Sequence, residues 1–209
     1  MIKAVVSDFG GVVTLPLMDA FTRAHAEIGI PLSALRKAME LNAARYGEPT
    51  LFKLERGQMT EAEFVSGLES TLTEELERPI SLDGYGQRLM GELQPNEPLL
   101  AHYRAVRDER GIRLAILTNN VREWHDAWRT RLKVDELFEF VIDSAFVGMR
   151  KPEPGIYALM LERLGLPANA CAFVDDVEVN VSAARDAGMH AIHFQDTAQA
   201  ITELDALVV

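Results

Sequence analysis

Short apolar runs recur along the chain and predict the strands of a buried sheet. Five such runs occupy residues 2–7, 113–117, 138–142, 170–174 and 191–194. Runs without a strict alternation of apolar and polar positions are typical of strands that are buried on both faces of a sheet. We therefore expect five strands that share one core.

The segments around the last four runs carry a helical pattern. Apolar side chains recur there at intervals of three to four, as on the buried face of a helix, in residues 96–110, 122–132, 154–164 and 178–187. Gly111, Gly165 and Gly188 lie where the C-terminus of a helix favours glycine. Strands that alternate with helices predict a parallel sheet joined by right-handed crossovers.

A long helical segment interrupts this alternation after the first run. Residues 17–94 show several helical patterns and no convincing strand, and Thr60 and Glu63 have the spacing of a capping box at the start of one helix. Turn residues bound the segment on both sides. We expect an α/β core formed by residues 1–16 and 95–209 and an inserted helical domain formed by residues 17–94.

Polar side chains follow the predicted strands at their carboxyl ends, where an open parallel sheet gathers its reactive groups. They supply a carboxylate, a hydroxyl with an amide, an ammonium and a pair of carboxylates: Asp8, Thr118 with Asn119, Lys151, and Asp175 with Asp176. Each residue taken singly has an ordinary structural explanation, such as a helix cap. The whole set on successive loops predicts a common site.

This combination of groups is suited to phosphoryl transfer. A phosphate monoester is a dianion, so a carboxylate nucleophile approaches it only when a cation, usually Mg²⁺ held by oxygen ligands, offsets the charge. Asp8 and Asp176 can supply such oxygens, while Lys151, the Thr118 hydroxyl and nearby backbone N–H groups can bind the phosphate oxygens. Attack by Asp8 would then give an aspartyl phosphate, which water hydrolyses.

The composition and net charge limit the kinds of molecule that the protein is expected to bind. The 209 residues carry a formal net charge of −11, which disfavours nucleic acid and anionic membranes as partners because both attract positive charge. No apolar stretch is long enough to predict a membrane span, and the single cysteine, Cys171, predicts no internal disulfide. The N-terminus lacks a signal-peptide pattern, so a cytoplasmic location is expected. Both a monomer and a homodimer stay open.

Four segments, in this order, resemble the four motifs of the haloacid dehalogenase superfamily: "VVSDFGGVV", "ILTNN", "GMRKPEPGIY" and "FVDDVEVN". The segments "GVVTLP" and "ARDAGMHAIHFQDTAQAITEL" are similar to the phosphatase-type N-terminal domain of soluble epoxide hydrolases, expected here without the partner domain that opens the epoxide. The resemblance implies an α/β fold with a Rossmann-like parallel sheet flanked by helices. It also implies that the inserted helices form an all-helical cap over the site.

The resemblance also implies a role for each motif residue. Asp8 is the nucleophile, and Thr118 and Lys151 hold the transferring phosphate, together with Gly10, Gly11 and Asn119. The metal, Mg²⁺, is bound by Asp8, the Gly10 carbonyl and Asp176, with Asp175 beside them and Asn180 supporting Lys151 or the metal shell. The expected substrate is a small phosphorylated metabolite, hydrolysed as a phosphate monoester.

Gly10 departs from the motif that the superfamily's phosphatases share. Most of them carry a second aspartate at this position, which protonates the leaving group and later activates water. Glycine removes that acid–base help, which contributes a factor of roughly 10²–10⁴. The reaction then needs a good leaving group, an acid from the substrate or the cap, or a solvent water. In the cap, His25, Arg45, Tyr46 and Lys53 are candidates to reach the substrate.

Two other functions stay open because of Gly10. A 2-haloacid dehalogenase-like hydrolase also lacks an aspartate at this position and needs no Mg²⁺. Such enzymes lack the paired carboxylates that this chain keeps at Asp175 and Asp176. The other alternative is a slow or non-catalytic regulatory protein that keeps the phosphate pocket. Halide release without metal, or phosphate binding without turnover, would distinguish these two from a phosphatase.

Overall fold

One parallel sheet of five strands forms the centre of the protein. The computed structural model describes residues 1–208, apart from the side chains of residues 24–27. The strands are β1 (Ala4–Ser7), β2 (Arg113–Thr118), β3 (Phe140–Asp143), β4 (Cys171–Asp175) and β5 (His190–His193). Their order across the sheet is β3-β2-β1-β4-β5, and all neighbours are parallel. The five predicted strands and the predicted parallel sheet are confirmed.

Helices cover both faces of this sheet, which explains why its strands read as continuous apolar runs. Val5 and Ile116 belong to a buried cluster on one face, whereas Val6, Leu117 and Phe173 belong to a cluster on the other. Successive strand residues point to opposite faces, so both sets of side chains must be apolar. The expected α/β fold with flanking helices is therefore confirmed.

Five helices follow β1 in residues 17–92, and we call them the inserted helices. They are α1 (Leu17–Ile28), α2 (Leu32–Tyr46), α3 (Thr50–Glu55), α4 (Glu61–Leu76) and α5 (Tyr85–Glu92). The capping box at α4 is confirmed, because Thr60 accepts from the Glu63 N–H and the Glu63 carboxylate accepts from the Thr60 N–H. These helices share a buried apolar cluster that includes Leu54, Leu68 and Leu72.

The remaining helices belong to the sheet layers. They are α6 (Glu97–Arg110), α7 (His125–Arg131), α8 (Val134–Leu137), α9 (Ser144–Val147), α10 (Pro154–Leu164), α11 (Glu178–Asp186) and α12 (Thr197–Leu207). The four predicted helical segments are confirmed, and α8, α9 and α12 are helices that the sequence pattern does not predict. Gly111 and Gly165 cap helices in the left-handed conformation, with φ of 67° and 62°.

The chain leaves the sheet for the inserted helices and returns at a single place. The Leu15 N–H donates to the Gln94 carbonyl, and the Asn96 N–H donates to the Val13 carbonyl, both at 2.8 Å. These bonds hold the two connections side by side above the carboxyl end of β1. The domain bounds at residues 17 and 94 stay a prediction. Among residues 1–208, every helix is too short or too polar to cross a membrane.

Candidate active site

Lys151 lies between two carboxylates at the centre of the site. Its Nζ atom is 2.7 Å from Oδ1 of Asp8 and 2.6 Å from Oδ2 of Asp175. Asp8 directly follows β1, Asp175 ends β4, and Lys151 lies in the loop between α9 and α10. The lysine side chain is only 1% exposed, so these carboxylates replace water as its partners. The fold thus brings together three residues that the sequence predicted at separate strand ends.

Asp175 makes hydrogen bonds on several sides. Besides the ammonium of Lys151, it accepts from Nδ2 of Asn180 at 3.0 and 3.2 Å and from the Val177 N–H at 2.8 Å. Asn180 is held in turn, because the Tyr157 hydroxyl donates to its carbonyl. Buried polar groups that are fully bonded keep a fixed orientation. The support that we expected from Asn180 reaches Lys151 through Asp175.

Asn119 holds the backbone of the loop that carries Lys151. Its Nδ2 donates to the Lys151 carbonyl at 3.0 Å, and its Oδ1 accepts from the Lys151 N–H at 2.8 Å. The buried Thr118 ends β2, and its hydroxyl makes one long contact of 3.5 Å with the Asn119 carbonyl. The Asn119 side chain is therefore occupied in positioning Lys151, whereas the Thr118 hydroxyl has no short hydrogen bond among the described residues.

Asp8, Asp175 and Asp176 form what we call the acid cluster. One carboxylate oxygen from each lies within 4.8 Å of the others. Asp176 lies tightly over the turn after Asp8, since a Cβ atom at Gly11 would be 2.4 Å from its Oδ2. Gly11 also has a φ of +85°, which disfavours any larger residue. Carboxylate oxygens are the ligands that Mg²⁺ prefers. The acid cluster therefore fits a divalent cation.

The charges of the site do not balance within the cluster. Burial raises the pKa of Asp8 to about 7. The Lys151 ammonium opposes this shift, and the Asp175 carboxylate adds to it. Burial also raises the pKa of Asp176, with a further contribution from Asp175. Although burial opposes it, the carboxylates of Asp175 and Asp8 raise the pKa of Lys151, which stays an ammonium. Three carboxyl groups thus share one cation, and a second cation would offset the excess negative charge.

Backbone N–H groups in the turn after Asp8 already donate hydrogen bonds within the turn. The Gly11 N–H donates to the Thr14 hydroxyl at 2.9 Å, and the Thr14 N–H donates to the Phe9 carbonyl. A phosphate that accepted from Gly11 would have to share that N–H with Thr14. The predicted roles of Gly10 and Gly11 in binding phosphate, and of the Gly10 carbonyl in binding metal, stay predictions.

A cavity of about 810 Å³ opens onto these groups, and we call it the site cavity. Its lining includes Asp8, Thr118, Lys151 and Asp176 from the sheet side. The inserted helices contribute apolar side chains to the opposite side: Leu17, Phe21, Leu51, Phe52 and Leu89. The site cavity is therefore polar around Asp8 and mainly apolar elsewhere.

Helix α3 is joined to the loop of Lys151 by ion pairs. Nε of Arg150 lies 2.6 Å from Oε2 of Glu55, and these side chains are 14% and 13% exposed. The Arg150 guanidinium also stacks 3.8 Å from the centre of the Phe52 ring. Beside it, Arg56 donates to Glu153 at 2.7 Å. Because Arg150 precedes Lys151, these contacts connect the inserted helices directly to the site.

The comparison that decides the family covers most of the chain. The family model described as haloacid dehalogenase-like hydrolase matches residues 2–188. The chain belongs to the haloacid dehalogenase-like hydrolase family. The resemblance that we drew from the four motifs is confirmed, and so is the assignment as a hydrolase.

Curated relatives of this haloacid dehalogenase-like hydrolase include phosphatases and longer proteins. "Bifunctional epoxide hydrolase 2" of Sus scrofa is 29% identical over 98% of this chain and 38% of its own length. The chain thus spans less than half of that relative. "Sesquiterpene phosphatase astK" of Aspergillus oryzae is 31% identical over 56% of this chain and 60% of its own length.

Solved structures of family members share the fold. A HAD family enzyme of Bacteroides thetaiotaomicron, in complex with magnesium and inorganic phosphate, has a TM-score of 0.67 at 21% identity and covers 96% of this chain and 99% of its own. A dehalogenase has a TM-score of 0.67 at 22% identity and covers 93% of this chain and 85% of its own. At such identities the likeness concerns the fold and does not separate the two reactions.

The cavity-facing residues of the inserted helices differ from those that we had named. Arg45 and Tyr46 are exposed, Lys53 lies over the Tyr46 ring, and none of the three is among the residues lining the site cavity. The side chain of His25 lies outside the described residues. Glu55 and Arg56 line the cavity instead. Their sequence neighbourhood, "TLFKLER", shows that α3 has an apolar face but not which polar residues turn toward the site.

Proposed function

We propose that the protein is a Mg²⁺-dependent hydrolase of phosphate monoesters that acts through a phosphorylated Asp8. The observation that carries the proposal is the carboxylate of Asp8, buried 2.7 Å from the Lys151 ammonium at the floor of the site cavity. Membership of the haloacid dehalogenase-like hydrolase family and the phosphatases among the relatives support it.

The first step is an in-line attack by a carboxylate oxygen of Asp8 on phosphorus. The new bond joins the Asp8 oxygen to phosphorus, and the bond to the ester oxygen breaks, with its electron pair going to the leaving group. Lys151 and the Thr118 hydroxyl bind the non-bridging oxygens, where negative charge collects. Water then attacks the aspartyl phosphate, so inorganic phosphate is released and the Asp8 carboxylate is restored.

Asp8, Asp176 and the Gly10 carbonyl would hold the metal ion in this proposal. When bound, Mg²⁺ supplies the positive charge that allows a carboxylate to approach a phosphate dianion. Asp175 takes a different part, because its bonds to Lys151, Asn180 and the Val177 N–H already orient it. Asp175 fixes the position of the Lys151 ammonium, which binds the phosphate.

The site cavity supports a substrate with an apolar organic part. Phe21, Phe52 and Leu89 line much of the side that the inserted helices contribute, and the charged residues on that side, Glu55 and Arg56, are paired with Arg150 and Glu153. Apolar walls gain free energy from apolar ligand surface, and a few polar groups then fix orientation. We therefore propose a small phosphorylated metabolite, with the inserted helices as a cap that excludes water from the reacting phosphate.

The test compares phosphate release by the wild type and by Asp8→Asn, with Mg²⁺ and with a chelator. We expect Asp8→Asn to abolish turnover because an amide is a poor nucleophile, while its circular dichroism spectrum matches that of the wild type. Asp126→Asn, an exposed carboxylate on α7, serves as the control and should keep full activity. Full activity in the presence of chelator, or in Asp8→Asn, would contradict the proposal.

The runner-up function is displacement of halide from carbon in a 2-haloacid. Gly10 favours this function. A halide leaves as an anion without being protonated, so the reaction requires no second aspartate. The acid cluster argues against it, since a metal-free displacement uses the Asp8 carboxylate but needs no further carboxylates to hold a cation. Release of halide from 2-chloropropionate without metal, lost in Asp8→Asn, would favour the dehalogenase. Phosphate binding without turnover of either substrate class would favour a regulatory protein.

A further inference from the structure

The space beside Gly10 is filled by a side chain from the first inserted helix. A Cβ atom at Gly10 would lie 2.7 Å from Cδ1 of Leu17, 3.3 Å from its Cγ and 3.4 Å from its Cδ2. The backbone of Gly10 itself, with φ of −76° and ψ of 119°, is one that any residue adopts. A side chain at position 10 therefore requires the end of the Leu17 side chain to move, whereas the backbone of Gly10 itself needs no change.

Leu17 lies between the core and the site cavity. It begins α1 directly after the connection that leaves the sheet, where the Leu15 N–H donates to the Gln94 carbonyl of the returning connection. Its side chain packs against the buried cluster that includes Phe9 and Leu89, and it lines the site cavity. An apolar group thus occupies the space through which an acid at position 10 would reach a leaving group bound at Asp8.

The other carboxyl groups that line the site cavity are already engaged. Glu55 is paired with Arg150 at 2.6 Å, and Glu153 accepts from Arg56 at 2.7 Å. Asp176 belongs to the acid cluster. Glu55 and Glu153 thus both have a guanidinium partner, although burial raises the pKa of Glu55.

The cations of the cavity are equally poor donors. Arg56 and Arg150 are paired with Glu153 and Glu55, and a guanidinium does not release its proton in proteins. Lys151 is fixed between Asp8 and Asp175, which stabilise its charged form. Among the described residues, the cavity therefore offers no free general acid.

We propose that Leu17 is a specificity-determining residue: it closes the general-acid position beside Gly10 and restricts the enzyme to phosphate esters whose leaving group departs without a proton. This inference rests on the proposed phosphatase function. The substrates that meet the requirement are esters of acidic hydroxyl groups, such as phenols, enols and hemiacetals, and mixed anhydrides with carboxylic acids.

The step balances without an enzyme acid. The Asp8 oxygen forms its bond to phosphorus, the bond to the leaving oxygen breaks, and the leaving group departs as an oxyanion that takes a proton from water afterwards. The free energy of that oxyanion then enters the transition state directly, so the rate depends on the pKa of the leaving group. An alkoxide is costly in this step, whereas a phenolate or carboxylate is not.

The first experiment needs no variant. We expect kcat/KM of the wild type with Mg²⁺ to fall steadily along a series of aryl phosphates as the pKa of the phenol rises, and to be lowest for an alkyl phosphate. Equal values for nitrophenyl phosphate and an alkyl phosphate would overturn the inference and leave the proposed function intact. No hydrolysis of any ester would overturn the proposed function and this inference with it.

The second experiment combines position 10 with Leu17. We expect Gly10→Asp/Leu17→Ala to hydrolyse the alkyl phosphate roughly 10²–10⁴-fold faster than the wild type, the usual contribution of a general acid. The rate of hydrolysis of nitrophenyl phosphate should increase much less. Gly10→Asp alone should give little of this gain, because Leu17 blocks the carboxyl group. Gly10→Asn/Leu17→Ala, of the same size but without an acid, is the matched control and should gain nothing.

Two results of these variants would overturn the role of Leu17. The first is the full gain in Gly10→Asp alone, which would mean that Leu17 does not close the position. The second concerns His25: if His25→Gln slows the alkyl phosphate and spares nitrophenyl phosphate, the wild type already has a general acid in its cap.

Discussion

At the scale of single residues, the most constrained group of the site is the carboxylate of Asp175. It is fully buried and bonded to Lys151, Asn180 and the Val177 N–H. A buried charge is stable only when its partners replace the water that it has lost. Asp8 has fewer such bonds and borders the cavity, which leaves it available for chemistry. The two carboxylates beside Lys151 thus have different tasks because they have different surroundings.

Replacing Asp175 should therefore affect stability more than replacing Asp8. We expect Asp175→Asn to lower the free energy of unfolding by roughly 3–5 kcal/mol, because it leaves the Lys151 ammonium buried with one carboxylate. Urea unfolding at neutral pH measures the difference, with Asp126→Asn as the exposed control. Equal stability of Asp175→Asn and the wild type would show that Lys151 does not depend on this pair.

Asn119 offers a second test at the same scale. We expect Asn119→Ala to lower kcat, because the loop of Lys151 loses both hydrogen bonds that hold its backbone, and to cost roughly 1–3 kcal/mol of stability. The control is Asn169→Ala, an exposed asparagine in the turn before β4. Steady-state kinetics and urea unfolding report the two effects. Unchanged kcat in Asn119→Ala would contradict a positioning role.

At the scale of elements, α3 is the helix that connects the inserted helices to the site. Its last residue, Glu55, pairs with Arg150, and the following Arg56 pairs with Glu153. Arg150 and Glu153 both flank Lys151 in the chain. A shift of α3 would therefore move the loop that carries the ammonium. The contacts also explain how a short helix of six residues keeps its place.

The strength of this connection can be measured with a double-mutant cycle. We expect Glu55→Gln and Arg150→Met to show a coupling energy of about 1–3 kcal/mol in urea unfolding, because both side chains are largely buried. The pair Glu178 and Arg185 lies at 3.0 Å but is about half exposed, so its coupling should stay below about 1 kcal/mol. Equal coupling in the two cycles would mean that burial of the α3 pair adds nothing.

At the scale of the whole molecule, the sheet order gathers the site at one edge. β1 lies between β2 and β4, so Asp8, Thr118 and Asp175 meet although more than 100 residues separate the first from the second. The acid cluster concentrates negative charge there in a chain whose net charge is already −11. A bound divalent cation would relieve local repulsion and hold together the two segments that follow β1 and β4.

Mg²⁺ should therefore stabilise the folded protein. A ligand that binds only the native state at 100 times its Kd adds about 2.7 kcal/mol to the free energy of unfolding. We expect millimolar Mg²⁺ to raise Tm of the wild type and to have little effect on Asp176→Asn, which lacks one of the proposed ligands. Differential scanning calorimetry measures both. The same rise in Tm for the two proteins would place the cation elsewhere.

The sequence by itself determined the strands, most core helices and the residues at the strand ends. Apolar periodicity and capping are local properties, so the Thr60 capping box and the Asp8, Lys151 and Asp175 positions could be read from neighbouring residues. The four motifs in order were enough to predict the family.

Only the tertiary structure decided which side chains of the inserted helices face the site. The residues that line the site cavity are Glu55 and Arg56, whereas the sequence suggested Arg45, Tyr46 and Lys53. The structure also places Leu17 beside Gly10. The physical reason is that a local pattern reveals the apolar face of a helix but not its rotation against a distant segment. That rotation follows from packing between residues far apart in the chain, and here it decides which side chains of the inserted helices reach the site cavity.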